Sequence, residues 1–500
     1  MSARPYLTRR AALGLAAALA APALLRPPAS AASANAASAN ADWGVDPEQW
    51  TLARIEAAAG TVQVDTAADC ARLVPLDHRG ALSFWYVGPT QASPAIDRTI
   101  QAEFFAAFRR TYPNIALTEQ NLGYNEMLDK VRTAALGNAA PVVARFPIMW
   151  GVEFAAKGLL APFGPQDAGF RREDFWPGAL RSCMWQGGSY GVPTNNEVVG
   201  LIWNAAVFRD AGLDPETPPA TWDELVAFAR QITQRTGKSG YGVVARVNGG
   251  DTPFRFMPQA WAYGGGALDE ADAHATYKQV LIDSPGTRAA LQLSADMYLR
   301  DHSAPRSALT NTSQDNDSIF ISGQLGMMGS HPSDYAAMLD RAHRATGADR
   351  ATAAQVVADL RYGVLPRGPV RPAVVFGGSN VHVFTPEAAG GAYDRDAVRA
   401  FIAFMTGPEW STKLAWSGSN PGHLTGFRTV WMRQRLDSIK FLGESTVQQP
   451  YGIPFPVVPQ SSEIMNIIVP TMMQNALTGR MTVAEATADA AGKVREAMAG

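Results

Sequence analysis

From Ala81 onward the chain alternates short β-rich runs with amphipathic helices, and this alternation limits its fold more than any other feature. Leu82-Ser83-Phe84-Trp85-Tyr86-Val87 is β-rich and stops at Gly88-Pro89. After Pro94, Ile96, Ile100, Phe104 and Phe108 recur four residues apart, on one helix face. The unit repeats, with Ile115–Thr118 as strand, Glu126–Leu136 as helix and Pro141–Ala144 as strand. Such a pattern predicts an α/β fold with a largely parallel sheet, whose strand ends carry the ligand site. Farther on, Thr221-Trp222-Asp223-Glu224 and Thr482-Val483-Ala484-Glu485 are capping boxes that open helices, and Gly407-Pro408 closes a helix over Asp396–Thr406. Tyr241–Val247 and Val374-Val375-Phe376 read as buried strands.

The N-terminus reads as an export signal. Arg4, Arg9 and Arg10 precede an apolar run, Ala11–Leu25, that is shorter than the ~20 residues of a spanning helix, and Ala-Ser-rich sequence follows it. Residues 1–34 are assigned to this signal. Thr8-Arg9-Arg10 with Leu13 resembles a twin-arginine leader, although Ala12 replaces its usual bulky apolar residue. No cysteine near the cleavage region indicates a lipid anchor. Removing 1–34 takes away four arginines and no acid, which moves the formal charge from -2 to -6. With 43 basic against 45 acidic residues there is no basic surplus for a nucleic-acid backbone. Cys70 and Cys183 are too few for a disulfide scaffold, and neither sits in a C-x-x-C. Residues 35–80 read as a leader followed by a short helix, marked by Trp43, Trp50, Leu52 and Ile55, laid on the main body.

Several residues are ligand candidates on their own chemistry. Thr194-Asn195-Asn196-Glu197 places four polar side chains among apolar neighbours. Glu197, immediately before Val198-Val199, needs a partner or a ligand hydroxyl. Gly377-Gly378-Ser379 follows a β-run, and its glycines permit close backbone approach to a ligand. Trp261, ahead of Gly264-Gly265-Gly266, is a stacking surface or a core residue, and Ser330-His331 follow the Met327-Met328 strand. Catalytic patterns fare worse. Gly187-Gly188-Ser189-Tyr190-Gly191 matches G-x-S-x-G, but it runs into Val192-Pro193 rather than a helix and reads as a hairpin turn. Asp315-Asn316-Asp317 reads as a helix cap, and the seven histidines never pair at i, i+4, so no zincin site is present. No metal or cofactor is expected.

The order of motifs is itself informative. Phe104–Phe108 leading to Tyr112-Pro113-Asn114, then Lys157–Pro162, Tyr190-Gly191-Val192-Pro193, Ile202-Trp203-Asn204, Trp261–Gly265, Phe320–Gly323, Gly377–Asn380 and Phe401–Glu409 stand in series. Over residues 81–500 the chain resembles the extracellular solute-binding proteins of ABC importers, in the branch that takes sugars and glycerol-phosphate-like compounds. The resemblance implies a two-lobed, type II periplasmic-binding fold with discontinuous lobes. Lobe 1 would comprise 81–200 with 374–422, and lobe 2 would comprise 201–373 with 423–500. The three crossings would fall near Val198–Asn204, Gly368–Val374 and Pro421–Thr425. It implies a non-enzymatic, monomeric periplasmic receptor that hands a small carbohydrate or polyol to a membrane permease. By the same likeness Trp85, Tyr86, Tyr124, Trp150 and Ser419 join the candidates. Ile148 falls near an acidic position of glycerol-phosphate members and Val458 falls where they carry an arginine, so a phosphorylated ligand is disfavoured. A non-sugar neutral or cationic solute held by Glu197 is the alternative. A secreted glycoside hydrolase, which needs two facing carboxylates, is a more distant one.

Overall fold

The computed structural model describes residues 50–91, 93–247, 250–272 and 274–499. The export signal and Trp43 lie outside them. Fourteen strands occur among the described residues. In chain order they are β1 Gly80–Val87, β2 Ile115–Leu122, β3 Val143–Pro147, β4 Met184–Trp185, β5 Gly188–Ser189, β6 Val192–Glu197 and β7 Gly200–Asn204. These are followed by β8 Ser239–Tyr241, β9 Leu325–Ser330, β10 Leu360–Gly363, β11 Val374–Val375, β12 Gly377–Val383, β13 Asn420–Pro421 and β14 Gly452–Ile453.

The six-stranded sheet has the order β13-β6-β12-β3-β1-β2. Its expected parallel character holds only for β1 with β2 and β1 with β3; β12, β6 and β13 run antiparallel. The physical reason is connectivity: the first strands are joined by helices, whereas β12 re-enters from the other sheet and needs no βα crossover. Leu82, Phe84 and Tyr86 alternate onto one face of β1, and Phe84 packs its ring 4.8 Å from Phe401 of the helix Arg395–Thr406. Phe104 and Phe108 of the helix Ala95–Thr111 complete that core.

The four-stranded sheet has the order β10-β7-β9-β8. The helix Trp222–Thr236 is opened by the expected capping box: Glu224 N–H donates to Thr221 Oγ1 at 3.2 Å, and Thr221 N–H donates to Glu224 Oε2 at 3.3 Å. The second box, at Thr482 and Glu485, is likewise reciprocal. Of the expected Tyr241–Val247 strand only Tyr241 joins a ladder, as the last residue of β8, although Val243–Ala245 are buried. The G-x-S-x-G segment is a hairpin, β4 against β5, turned by Gln186 and Gly187 at φ 47° and 81°. Thr312, not Asp315, caps the helix Ser313–Ile321, because its hydroxyl is the group that reaches the Asp315 amide. Both cysteines are buried and free.

The chain passes from β6 to β7 through Val198-Val199, and from β10 back to β12 by way of β11, which pairs with β14. The segment in which the third crossing is expected, Pro421–Thr425, packs beside the six-stranded sheet. His423 sits 5.0 and 5.2 Å from the rings of Phe170 and Phe175, and Thr429 bridges Val62. Phe427, Met432 and Leu442 form a small core with Ile55 and Trp176, which holds this segment on the six-stranded side. Farther along, Phe441 stacks 5.5 Å from Tyr362 of β10. In that core Trp50 lies 4.7 Å from Trp176 and 5.1 Å from Phe427. Trp176 in turn lies 6.4 Å from Phe376, between β11 and β12, so the helix Leu52–Ala58 and its flank brace the passages from behind.

One buried group sets a pH dependence. His382 of β12 stacks 4.5 Å from Phe146, donates from Nδ1 to the Tyr190 carbonyl at 2.7 Å, and has no partner for its buried Nε2. Burial pulls its pKa down to about 4, from an ordinary 6.5. The unfolded chain therefore binds the extra proton first, so stability is full above pH 6.5 and is lost as pH falls towards 4. The loss is about 3 kcal/mol, at about 1.4 kcal/mol per pH unit. Urea titrations at pH 7.5 and 4.5 measure it. His382→Gln should reduce the slope without abolishing it, because burial likewise pulls His423 down to about 4, and an unchanged slope would assign the effect to other groups.

Candidate functional site

A cavity of about 350 Å³ opens at the carboxyl ends of β1 and β3. Its floor is built by the pairing of β6 with β12, in which Asn195 faces Ser379 and Glu197 faces Gly377. Strand alternation puts Asn195 and Glu197 on the cavity side and turns Asn196 away, where it is fully buried and donates to the Pro421 carbonyl. A bulge follows Ser379, with Thr194 Oγ1 donating to the Ser379 carbonyl at 2.8 Å. Gly378 makes this close approach possible: its φ is 109°, and a Cβ there would stand 2.2 Å from the Asn195 carbonyl oxygen.

One wall is the loop 413–419. Ser419 Oγ donates to Glu197 Oε1 at 2.7 Å. Fully buried Arg435 holds the loop in place by donating to the carbonyls of Ala415, Trp416 and Ser419. Opposite, the first turns of the helix Ala95–Thr111 contribute Asp97 and Gln101, and Ser333 reaches in from the helix Pro332–Arg344 beside the four-stranded sheet. Tyr124 is 47% exposed and lines the cavity, its hydroxyl pushed up to about 12 by burial of its polar end and by Asp251 and Glu197.

Arg145 enters from β3. Its Nε, Nη1 and Nη2 donate to Thr194 Oγ1, the Val87 carbonyl and Asn195 Oδ1 at 3.0, 3.2 and 2.8 Å. Depth lowers its pKa to about 10, with Glu197 and Tyr86 opposing. Burial likewise raises Asp97, against hydrogen bonds from Ser417 and the charge of Arg435.

Tyr124, Asn195, Glu197, Gly378, Ser379 and Ser419 of the expected set thus come together on this cavity. The others do not line it. Tyr86 stacks 5.1 Å from Phe84 in the core, because it shares that strand face, and Trp85 packs against the opposite cluster. Trp150 is buried with its ring 5.2 Å from Tyr124. Trp261 is a core residue: it is fully buried, and its indole N–H donates to Glu270 Oε1 at 2.8 Å. Gly377 lies under Phe254. Ser330 and the His331 amide both donate to Asp334 Oδ2 at 2.8 Å, which starts a helix. Arg145, Asp97, Gln101, Lys413 and Ser417 line the cavity and carry no motif that sequence reading singles out.

A larger cavity of about 400 Å³ lies between Val64–Leu73 and the segment around Phe170 and His423. It contains none of the expected residues, and it is walled partly by the N-terminal extension rather than by strand ends.

The family model for bacterial extracellular solute-binding proteins matches residues 91–412. A binding protein of Brucella abortus is 25% identical over 228 residues, 45% of this chain and 53% of that protein. The chain spans about half the length of the first curated relatives it matches. The fold is similar to the GacH receptor of Streptomyces glaucescens, studied with acarbose, at a TM-score of 0.65 and 22% identity over 84% of this chain and 99% of that one. It is also similar to the cyclic α-maltosyl-1,6-maltose binding protein of Arthrobacter globiformis, at a TM-score of 0.67 and 20% identity over 83% and 98%. The architecture is thus the two-lobed type II periplasmic-binding fold. With the family model covering well over half of its length, this chain belongs to the bacterial extracellular solute-binding proteins.

Proposed function

We propose that the protein is the exported receptor of an ABC import system, which captures a small carbohydrate or polyol in the cavity between its sheets and delivers it to a membrane permease. The observation that carries this reading is the convergence of Arg145, Asn195, Glu197, Ser379 and Ser419 on one cavity at the strand ends. Charged groups and amides there both donate to and accept from hydroxyls. Lobe 1 is taken as 81–200 with 374–422 plus the later segment through about Tyr451, and lobe 2 as the remainder. A bound ligand touching both lobes would favour their closure, since only contacts better made when closed shift the equilibrium. The family and the fold are those of binding proteins rather than enzymes. One solved neighbour was studied with acarbose and another is a cyclic maltosyl-maltose binding protein, which supports a carbohydrate ligand.

The second reading, a cationic solute, rests on Glu197, whose carboxylate accepts Ser419 Oγ and has no cation within 4.0 Å among the described residues. A thermal-shift panel of sugars, polyols, sugar acids, sugar phosphates, amino acids and polyamines, followed by calorimetry, separates the two. A hit at 100 times its dissociation constant should stabilise the protein by about 2.7 kcal/mol. Glu197→Gln should weaken a sugar about tenfold and a cation by about 2 kcal/mol or more. Silence across the panel, or chemical turnover of a hit, would overturn the receptor reading.

A further inference from the structure

We propose that the cavity selects an acidic sugar, a hydroxylated monocarboxylate of about hexose size whose carboxylate docks on Arg145; this rests on the receptor reading above. The argument begins with what Arg145 lacks. All three of its hydrogen-bond partners are neutral, and among the described residues no carboxylate lies within 4.0 Å of it. Other arginines behave differently: Arg132 pairs with Glu153 at 2.6 Å and Arg209 with Asp359 at 2.8 Å. Arg435 also lacks a carboxylate, but it is fully enclosed by carbonyls, whereas Arg145 is only half-buried and its open surface faces the cavity.

A guanidinium carries five N–H groups, and three of these are used. One remains on each Nη, the spacing that meets the two oxygens of a carboxylate. The neutral partners fix the fork in place before any ligand arrives, so little side-chain freedom is lost on binding.

The remaining charges limit the anion to a single negative charge. Lys413, the other cation on the wall, is already held by Glu409 at 2.8 Å and lies 3.8 Å from Glu103. Glu197 and Asp97 add two carboxylates to the same cavity. The two acids oppose any anion, but a monocarboxylate places its one charge on Arg145, whereas the second charge of a phosphate dianion has no free cation to meet among the described residues. Those acids, with Gln101, Asn195 and Ser379, then accept from or donate to hydroxyls on the rest of the ligand. An amino acid would leave most of these hydroxyl-binding groups without partners.

The test is calorimetry on the purified protein with matched probes that differ only in CH₂OH against carboxylate: glucose with glucuronate, galactose with galacturonate, and sorbitol with gluconate. Glucose 6-phosphate serves as the dianion. At least one acid should bind about tenfold or more tightly than its neutral partner, and glucose 6-phosphate should bind more weakly than glucuronate. Arg145→Gln should collapse the acid-to-neutral ratio to within about threefold, and Arg145→Lys, which keeps the charge without the fork, should retain part of it. If no acid exceeds its neutral partner while a neutral sugar binds, the acidic-sugar inference falls and the receptor reading stands. If no sugar, acid or polyol binds at all, the receptor reading falls with it. The wild-type comparison stands whether or not the Arg145→Gln protein folds.

Discussion

Arg435→Met should destabilise the protein by about 3 kcal/mol and weaken ligand binding at least tenfold. Its guanidinium is fully buried and is the common donor to the carbonyls of Ala415, Trp416 and Ser419. Removing it leaves three acceptors without their charged donor, each worth roughly 1–3 kcal/mol when buried and unmet. The gain from no longer burying a cation offsets part of this. That burial is severe enough to pull the Arg435 pKa down to about 9, opposed by Asp97. The effect on binding follows from geometry, since the loop so anchored presents Ser417 and Ser419 to the cavity, and Ser419 orients Glu197. Arg435→Lys should fall between the two, because an ammonium cannot span three carbonyls with a planar fork. Urea unfolding and calorimetry measure both quantities. A methionine variant with wild-type stability and affinity would show that the loop holds its shape unaided.

Gly378→Ala should be more damaging than Gly377→Ala, although the two residues are adjacent. At Gly378 the φ of 109° is strained for any L side chain, and the added methyl would stand 2.2 Å from a backbone oxygen of β6. Backbone cannot swing aside, so the β6–β12 pairing would have to shift and carry Asn195 and Glu197 with it. Strain and overpacking together suggest about 3–5 kcal/mol and a loss of binding. At Gly377 the nearest atom, at 2.7 Å, belongs to the Phe254 ring, a side chain that can rotate. The Gly377→Ala protein should therefore keep most of its stability. Equal stabilities for the two variants would contradict this account of the cavity floor.

The parts of the molecule that were legible in sequence are those governed by local chemistry. Thr221 with Glu224, and Thr482 with Glu485, needed only a hydroxyl and a carboxylate three residues apart. Among the cavity-lining residues, Gly378, Ser379, Asn195 and Glu197 stood out because polar residues and glycines interrupt apolar strands, whereas Asn196 of the same run faces away. Arg145 was not. It stands in an otherwise apolar strand, and only the central position of β3 between β1 and β12 makes its side chain part of the cavity floor. Most aromatic candidates, Tyr124 apart, lie off the cavity for the opposite reason. Tyr86 and Trp261 present large apolar areas, and the nearest surfaces able to cover them belong to distant elements, so they became core. The docking of residues near Trp50 and Ile55 on Phe427 and Leu442 was equally hidden, since it joins distant parts of the chain.

That docking has an optical consequence. Trp50 and Trp176 sit against one another and one ring away from Phe376, where β11 gives way to β12. Neither indole lines the candidate ligand cavity. If the two sheets rotate about that junction when ligand binds, the packing and local polarity around these two indoles would change without either ring touching solute, and their part of the emission would follow that rotation rather than occupancy.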